Sequence, residues 1–138
     1  MEQIKEINLL HKELADVIIK CYYDVYNSFG YGFLEKVYGN AIFIELTKNG
    51  LNCIKQKPIK VKYKNEVVGD YFADLIVNDC VIIELKASES LAKEHELQLI
   101  NYLRATNAEV GLLLNFGKKP EFKRKIFTND RKSISTDQ

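Results

Sequence analysis

One short segment restricts the possible folds of this chain more than any other. The apolar run CVII at residues 80–83 is followed directly by Glu84, Leu85 and Lys86. A strand that is apolar on both faces is normally a central strand, buried within a sheet. Glu84 and Lys86 are two residues apart, so their side chains point to the same face of that strand. An acid and a base are costly there unless they are paired or bound to a metal. The segment therefore predicts a functional site. The spacing of Glu84 and Lys86 suggests a metal site at which phosphate esters are attacked.

The length and composition indicate one globular domain. The chain has 138 residues, of which 46% are hydrophobic and 28% are charged. This size supports one hydrophobic core, and the composition is typical of a soluble protein. No apolar run approaches the roughly 20 residues that span a bilayer, and the first residues lack the features of a signal peptide. We expect a single domain over residues 1–127 and a polar, flexible tail over residues 128–138.

The cysteines indicate a reducing compartment. Cys21, Cys53 and Cys80 are odd in number and far apart, and two of them lie in apolar runs. This pattern fits reduced thiols that pack within a cytoplasmic protein rather than a disulfide framework. Three cysteines also exclude a four-cysteine zinc or iron–sulfur site within one chain.

Positive charge is clustered, although the formal net charge is only +1. Seven bases and two acids lie between Lys118 and Lys132, and five lysines form a second cluster within residues 55–64. Such clusters can neutralise phosphates, but a solvated face or a disordered tail is the alternative interpretation. The residues that we assign to nucleic-acid contacts are Lys55, Lys57, Lys118, Lys119, Lys123 and Arg124.

Hydrophobic periodicity predicts a mixed α/β fold. The predicted helices cover residues 8–28, 33–48 and 91–106. The predicted strands cover residues 58–63, 67–77, 80–87, 110–115 and 122–127, the first of them as a half-exposed edge strand. The order α-α-β-β-β-α-β is a three-strand meander followed by a helical crossover into a further strand. It predicts a mixed sheet of four to five strands that is flanked by helices.

Asp74 completes the acidic part of the predicted site. Phosphodiester hydrolysis needs a metal ion that neutralises charge on the phosphate and activates the attacking water. Magnesium prefers hard oxygen ligands, which Asp74, Glu84 and the main-chain carbonyl of Leu85 could supply. Lys86 would lie beside the water or the phosphate, as a point charge or as a proton acceptor.

This site places a demand on the turn between the second and third strands. Asp74 and Glu84 oppose each other only if the loop is centred on Asp79. A three-residue loop of Asn78, Asp79 and Cys80 satisfies the demand, because Asn and Asp tolerate the left-handed backbone that such loops use. A two-residue turn would put the carboxylates on opposite faces, so the hypothesis requires an odd loop or a bulge.

Two predicted helices carry further polar candidates. Glu35 borders the apolar arc of the second helix, and it is either a first-turn partner of the helix dipole or a site residue. Gln98 and Tyr102 are one turn apart on the last helix, so both project from one face. They are either an edge glutamine beside a core tyrosine or additional site residues.

These motifs together resemble a known family. Residues 32–38 match the GxxExxY signature, which names a family of small bacterial and archaeal proteins within the PD-(D/E)XK nuclease superfamily. Asp74 with residues 84–86 matches the core motif of that superfamily, although Ala73 stands where the motif nominally has proline. Residues 98–102 match the QxxxY motif of its RecB-type exonuclease branch. The similarity covers nearly the whole chain.

The resemblance implies a fold, a cofactor and residue roles. It implies a restriction-endonuclease-like PD-(D/E)XK core and a bound Mg²⁺ or Mn²⁺. The metal ligands that it implies are Glu35, Asp74 and Glu84. Lys86 would be the catalytic lysine, and Gln98 and Tyr102 would position the substrate strand or that lysine.

Three functions are compatible with the sequence. The first is a metal-dependent nuclease acting on DNA, or on RNA, which would recognise backbone and shape or depend on a partner protein or on dimerisation. The second is a nucleic-acid-binding or regulatory module with the same fold and no turnover. The third is a purely structural protein, which leaves Glu84 and Lys86 unexplained on an apolar strand. The site residues favour the nuclease.

Overall fold

The computed structural model describes residues 10–133 of the chain. The helices are α1 (Lys12–Phe29), α2 (Glu35–Lys48) and α3 (Lys93–Arg104), and a short 3₁₀ helix follows at Asn129–Arg131. The strands are β1 (Cys53–Tyr63), β2 (Glu66–Val77), β3 (Val81–Lys86), β4 (Val110–Phe116) and β5 (Pro120–Ile126). The predicted order of elements is confirmed. Residues 8 and 9 of the first predicted helix lie outside the described residues.

Strand β1 differs most from its predicted bounds. It begins at Cys53 instead of residue 58, and its added segment pairs with β2 from Val77 back to Ala73. Lys55 and Gln56 in that segment are exposed. Because three of the five added residues are polar and follow one another directly, at positions 55–57, hydrophobic alternation does not reveal this segment.

The five strands form one mixed sheet in the order β1-β2-β3-β4-β5. Strands β3 and β4 are parallel, and helix α3 makes the crossover between them; the other neighbours are antiparallel. The fold class predicted from the sequence is confirmed, and so is the place of the first strand at an edge. Strand β3 lies at the centre of the sheet, which explains why its residues 81–85 are all buried.

The sheet has one hydrophobic core on each face. Helices α1 and α2 pack against one face with residues such as Ile83 and Leu112. Helix α3 packs against the other face, where its Leu99 meets Ile82 and Leu113. Along β3 the side chains alternate between the two cores, as the period of a strand requires. This alternation sets the face on which each polar residue of β3 emerges.

The β1–β2 hairpin extends beyond the rest of the sheet. Strand β3 pairs with β2 only at residues 75–77, whereas β1 pairs with β2 from residue 66 to residue 77. Residues 57–73 therefore form a two-stranded projection, called the ribbon below. Several of its large apolar side chains are exposed, among them Tyr63, Tyr71 and Phe72.

The chain end that the structure describes packs on the body of the fold. The N–H of Asn129 donates a 2.7 Å hydrogen bond to Glu109, and Lys132 Nζ donates to the carbonyl oxygens of Thr106 and Ala108. These bonds hold the described part of the predicted tail in place, while residues 134–138 lie outside the described residues. Within residues 10–133 no helix has the length and apolarity of a membrane span. The structure pairs none of Cys21, Cys53 and Cys80 in a disulfide.

Candidate active site

The turn between β2 and β3 has the three-residue form that the hypothesis required. Val77 pairs with Val81, which leaves Asn78, Asp79 and Cys80 as the loop. Asn78 and Asp79 have φ angles of 51° and 56°, in the left-handed region that these side chains tolerate. The length of the loop sets the register of the hairpin. The register in turn decides on which face of the sheet each carboxylate lies.

Asp74 and Glu84 bridge β2 and β3 at the point where the two strands part. The main-chain ladder ends at the pair Leu75 and Ile83. One step further, the N–H of Asp74 donates to Oε2 of Glu84 at 2.7 Å. The N–H of Leu85 donates to Oδ2 of Asp74 at 2.8 Å. The carboxylates thus replace main-chain acceptors, and the two strands hold them side by side.

Burial makes this pair of carboxylates electrostatically costly. Glu84 is only 5% exposed, and burial, followed by the charge of Asp74, raises its pKa to about 8. Burial also raises the pKa of Asp74, against the opposing effects of the Leu85 N–H and of Lys86. The positive charge of Lys86 acts on both carboxylates without offsetting their desolvation. Strongly perturbed acids of this kind are concentrated at functional sites.

A cleft of about 500 Å³ opens between the start of α2 and strands β1 to β3. Asp74 and Leu85 line it from the sheet, and Glu35 lines it from the first position of α2. Glu35 lies in the first turn of its helix and also faces the cleft, so its position is compatible with both interpretations. Its charge contributes to the raised pKa of both sheet carboxylates. Glu35 is thus the third acid of this region.

The structure brings Asp74 and Glu84 together more closely than it brings Glu35 to either. In the part of the chain that the structure describes, no three His, Cys, Asp or Glu side chains are grouped tightly enough to hold a metal ion. The donor set of the closer pair nevertheless fits a hard dication. Both carboxylates are desolvated, their pKa values are raised, and each uses only Oδ2 or Oε2 in the bonds described above.

Tyr38 positions the start of α2 and therefore Glu35. Its hydroxyl donates to the carbonyl of Gly30 at 2.8 Å and accepts from the N–H of Phe33 at 3.2 Å. Gly32 between them has a φ of 110°, which L side chains rarely adopt. Gly32 and Tyr38 thus shape the loop before α2. Glu35, which lines the cleft, follows that loop directly.

Lys86 and Glu84 emerge on the face of the sheet that α3 covers. Glu84 pairs with Leu113, whose side chain belongs to the core beneath α3, and Lys86 lies two residues further along β3. Lys86 is half-buried at the end of the strand. Its position next to the carboxylates agrees with the same-face placement inferred from the spacing.

Gln98 and Tyr102 form a hydrogen-bonded pair on α3. Gln98 Nε2 donates to the Tyr102 hydroxyl at 3.0 Å. Burial raises the pKa of Tyr102 to about 12, and the charges of Glu84 and Asp74 add to the effect. The charges of the sheet carboxylates thus reach Tyr102, to which Gln98 is bonded, although neither residue lines the cleft that contains Glu35.

The predicted nucleic-acid contacts do not form one surface. Strands β1 and β5 are opposite edges of the sheet, so Lys55 and Lys57 are separated from the residues of β5. Lys55 lines the cleft beside Asp74, donates to Asn40 Oδ1 at 3.1 Å and lies 4.6 Å from the ring centre of Phe43. Of the six assigned bases, Lys55 is the one that the structure places in the cleft.

The other edge divides its bases between two faces. Lys118 and Lys119 lie in the turn between β4 and β5, and Lys123 pairs with Leu113 on the α3 side. Arg124 points to the opposite face, where its Nη2 donates to the carbonyl of Leu10 at 2.6 Å. Lys123 and Arg124 lie on different faces because adjacent residues of a strand point to opposite faces. The bond of Arg124 joins β5 to the segment before α1.

Five residues that line the cleft were not predicted from the sequence: Lys36, Gly39, Asn40, Gln56 and Leu75. Gln56 lies opposite Asp74, between the register pairs Lys55–Leu75 and Lys57–Ala73. Its φ of 54° is unusual for a residue other than glycine. Only the register of β1 could have identified Gln56, and that strand was predicted to begin after it.

Comparison with known proteins identifies a nuclease superfamily. The sequence profile of the PD-(D/E)XK nuclease superfamily matches residues 12–125. No curated protein is similar enough to match the chain. Among solved structures, the crystal structure of SSO0001 is 18% identical in sequence, with a TM-score of 0.46. That match covers 67% of this chain and 50% of the other, so this chain spans about half the length of that protein.

Proposed function

The chain belongs to the PD-(D/E)XK nuclease superfamily, and on this premise we propose that it is a metal-dependent nuclease that hydrolyses phosphodiester bonds of DNA. The observation that carries the proposal is the bridge between Asp74 and Glu84. The buried carboxylate of Glu84 and the half-buried carboxylate of Asp74 have raised pKa values and are held by main-chain N–H groups, and Asp74 lines a cleft. A purely structural role would not require two acids there, since apolar residues of similar volume are often at least as stable.

We propose Mg²⁺ or Mn²⁺ as the cofactor. Asp74, Glu84 and the main-chain carbonyl of Leu85 would hold the ion, and Glu35 would complete the acidic ligands. When bound, the dication would neutralise charge on the scissile phosphate and lower the pKa of the attacking water. The oxygen ligands of this set are those that such ions prefer.

The remaining site residues would act on the substrate directly. Lys86 would place its positive charge beside the scissile phosphate and take part in proton transfer. The hydrogen-bonded pair of Gln98 and Tyr102 would position the substrate strand or the lysine. Lys55 would contact a phosphate from the opposite wall of the cleft.

Two finer assignments accompany this function. We propose that the chain is a member of the GxxExxY family, which is supported by the way Tyr38 and Gly32 shape the loop before Glu35. We also propose that a single domain acts in the cytoplasm, which is supported by three cysteines that do not pair.

One observation favours a second candidate function. Glu35 does not join Asp74 and Glu84 in a three-acid group within the described residues. A nucleic-acid-binding or regulatory module without turnover would retain the fold and the cleft and would not need that group. Its affinity for DNA would fall steeply with salt and would not depend on magnesium.

The deciding experiment is cleavage of labelled single- and double-stranded DNA, and of RNA with the same sequence. The purified protein would be assayed with Mg²⁺, Mn²⁺ or EDTA, beside Lys86→Ala and the control Lys20→Ala. Lys20 is exposed on α1 and pairs with Asp24. Metal-dependent cleavage that only Lys86→Ala loses would support the nuclease. Binding without cleavage under every metal condition would instead support the module.

A further inference from the structure

A second cleft lies between α3 and the ribbon, on the face of the sheet opposite α1 and α2. Its volume is about 410 Å³. Val61 and Tyr71 line it from the ribbon. Five residues line it from α3: Glu94, Leu97, Gln98, Asn101 and Tyr102. Successive turns of the helix contribute Glu94, then Leu97 and Gln98, then Asn101 and Tyr102, so these residues share one face of the helix.

The walls of this cleft suit a flat ring. Tyr71 is 46% exposed and Leu97 is 50% exposed, so both present apolar surface to the cleft. The ring of Tyr71 meets that of Tyr102 at 46°, with the ring centres 5.8 Å apart. This tilted contact supports Tyr71 on one side and leaves its ring half exposed. Base stacking on such aromatic side chains is a common way to bind single strands.

The polar groups of the cleft favour a base over a phosphate. Among the described residues, the cleft is lined by one acid, Glu94, and by no lysine or arginine. Asn101 Oδ1 accepts from Arg104 at 3.3 Å, which leaves the amide Nδ2 outside that bond. Gln98 uses Nε2 on Tyr102 and keeps Oε1. The cleft thus offers an amide donor, an amide acceptor and a carboxylate that only accepts.

The second cleft adjoins the sheet carboxylates. Tyr102 lines the cleft, and its hydroxyl lies near enough to Glu84 and Asp74 to be influenced by their charges. Glu84 and Lys86 emerge on this same face of the sheet. A base in the cleft would therefore belong to a nucleotide close to the bond that is cut.

We propose that this cleft is a nucleobase subsite, in which a base of the substrate strand stacks on Tyr71. Asn101 and Gln98 hydrogen-bond the edge of that base, and Glu94 accepts from an exocyclic amino group. The subsite favours adenine, cytosine or guanine over thymine, which lacks that group. The inference rests on the proposed function for its nucleic-acid ligand, and it adds a preference among bases.

Fluorescence anisotropy with the full chain in EDTA tests the subsite without cleavage. The probes are labelled single strands of equal length that contain only dA, only dC or only dT. The unmodified protein should bind dA and dC several-fold more tightly than dT. Tyr71→Ala should weaken binding to each strand about tenfold, as loss of one stacked base does, whereas Tyr71→Phe should bind normally.

Two further variants substitute exposed residues of α3, so a change in their binding does not reflect a loss of folding. Glu94→Gln and Asn101→Ala should reduce the preference for dA and dC over dT, and their melting temperatures should match that of the unmodified protein. The control is Tyr63→Ala, an aromatic residue that is 63% exposed on the ribbon and outside the cleft. The control should bind every strand normally.

The outcomes separate this inference from the nuclease proposal. Normal binding and normal base preference in Tyr71→Ala, Glu94→Gln and Asn101→Ala would overturn the subsite, even if the protein cleaves DNA in a parallel assay with Mg²⁺ or Mn²⁺. Absence of binding to every strand would overturn it too. Weakened binding in these variants, in a protein that cleaves with neither metal, would support the subsite and count against the nuclease.

Discussion

The main-chain N–H of Asp74 donates a 2.7 Å hydrogen bond to Oε2 of Glu84, where β2 and β3 part. The carboxylate of Asp74 in turn accepts from Leu85, the neighbour of Glu84. Each acid is therefore both a candidate ligand and a part of the strand pairing. Substitution of either one acts on the charge of the site and on the geometry of the other, so amide variants are more informative than alanine variants.

Glu84→Gln should remove metal-dependent cleavage while the fold is kept. Its amide oxygen can still accept from Asp74, but an uncharged amide is a much weaker metal ligand. The variant places no negative charge in the apolar interior. We therefore expect the free energy of unfolding of the variant at pH 8 to equal or exceed that of the unmodified protein. Cleavage assays and urea denaturation in EDTA check both points. A variant that unfolds would indicate a structural role for the acid.

The same pair should make stability depend on pH in the absence of metal. The pKa of Glu84 is about 8 in the folded protein, against the ordinary value of 4.5 that applies in the unfolded chain. Between these pH values the folded state therefore binds more protons than the unfolded state. This contribution to the free energy of unfolding is fully present below pH 4.5 and is lost as the pH rises through 8. The slope is at most about 1.4 kcal/mol per pH unit. Urea titrations across this window should show the decline, and Glu84→Gln should show a smaller one.

Metal binding should release protons. A carboxyl group must be ionised to bind a cation, so affinity for Mn²⁺ should rise with pH up to about 8 and then level off. Isothermal titration calorimetry in two buffers with different ionisation enthalpies measures the protons released. The count should fall in Glu84→Gln. An affinity that does not change with pH would contradict the proposed ligand.

Lys86→Ala should lower the rate of cleavage by about 10²- to 10⁴-fold, the usual contribution of a positioned proton-transfer group. The side chain is half-buried at the end of β3, so the melting temperature should change little. Single-turnover kinetics would compare it with Lys86→Arg, which keeps the charge. Full activity in the arginine variant would show that charge alone is required.

Tyr38→Phe should affect the site through the loop before Glu35. The loss of two hydrogen bonds should cost about 1–2 kcal/mol of unfolding free energy and should weaken Mn²⁺ binding. Tyr26→Phe is the matched control, since its hydroxyl also contacts two main-chain oxygens, those of Gly117 and Lys118. The control should lose similar stability and keep its metal affinity. Equal effects on metal binding would contradict the positioning role.

Lys55 and Arg124 should differ in their effect on DNA binding. Lys55→Ala should reduce the slope of log affinity against log salt by about 0.7–0.9, the share of one phosphate contact. Arg124→Ala should leave the slope unchanged and destabilise the fold, because its guanidinium bonds Leu10. Anisotropy titrations over a range of salt concentrations would distinguish them. A lower slope only for Arg124→Ala would reverse the assignment.

The order of the elements, the central place of β3 and the pairing of Asp74 with Glu84 could all be predicted from the residues alone. Hydrophobic periodicity reports local burial, and a fully apolar segment such as residues 80–83 has few places in a sheet other than its centre. The pairing followed from a short loop, because the odd number of residues in the loop at Asn78 sets the faces of both strands.

The relations between distant segments became known only from the folded chain. The edge position of Lys55 opposite Lys123, the place of Gln56 beside Asp74 and the meeting of Tyr71 with Tyr102 all depend on strand order and helix packing. The spacing of charged and polar surface residues along the sequence does not indicate which distant residues they contact. Their contacts are set by long-range packing of the apolar faces, so the chain must fold before these residues form a site.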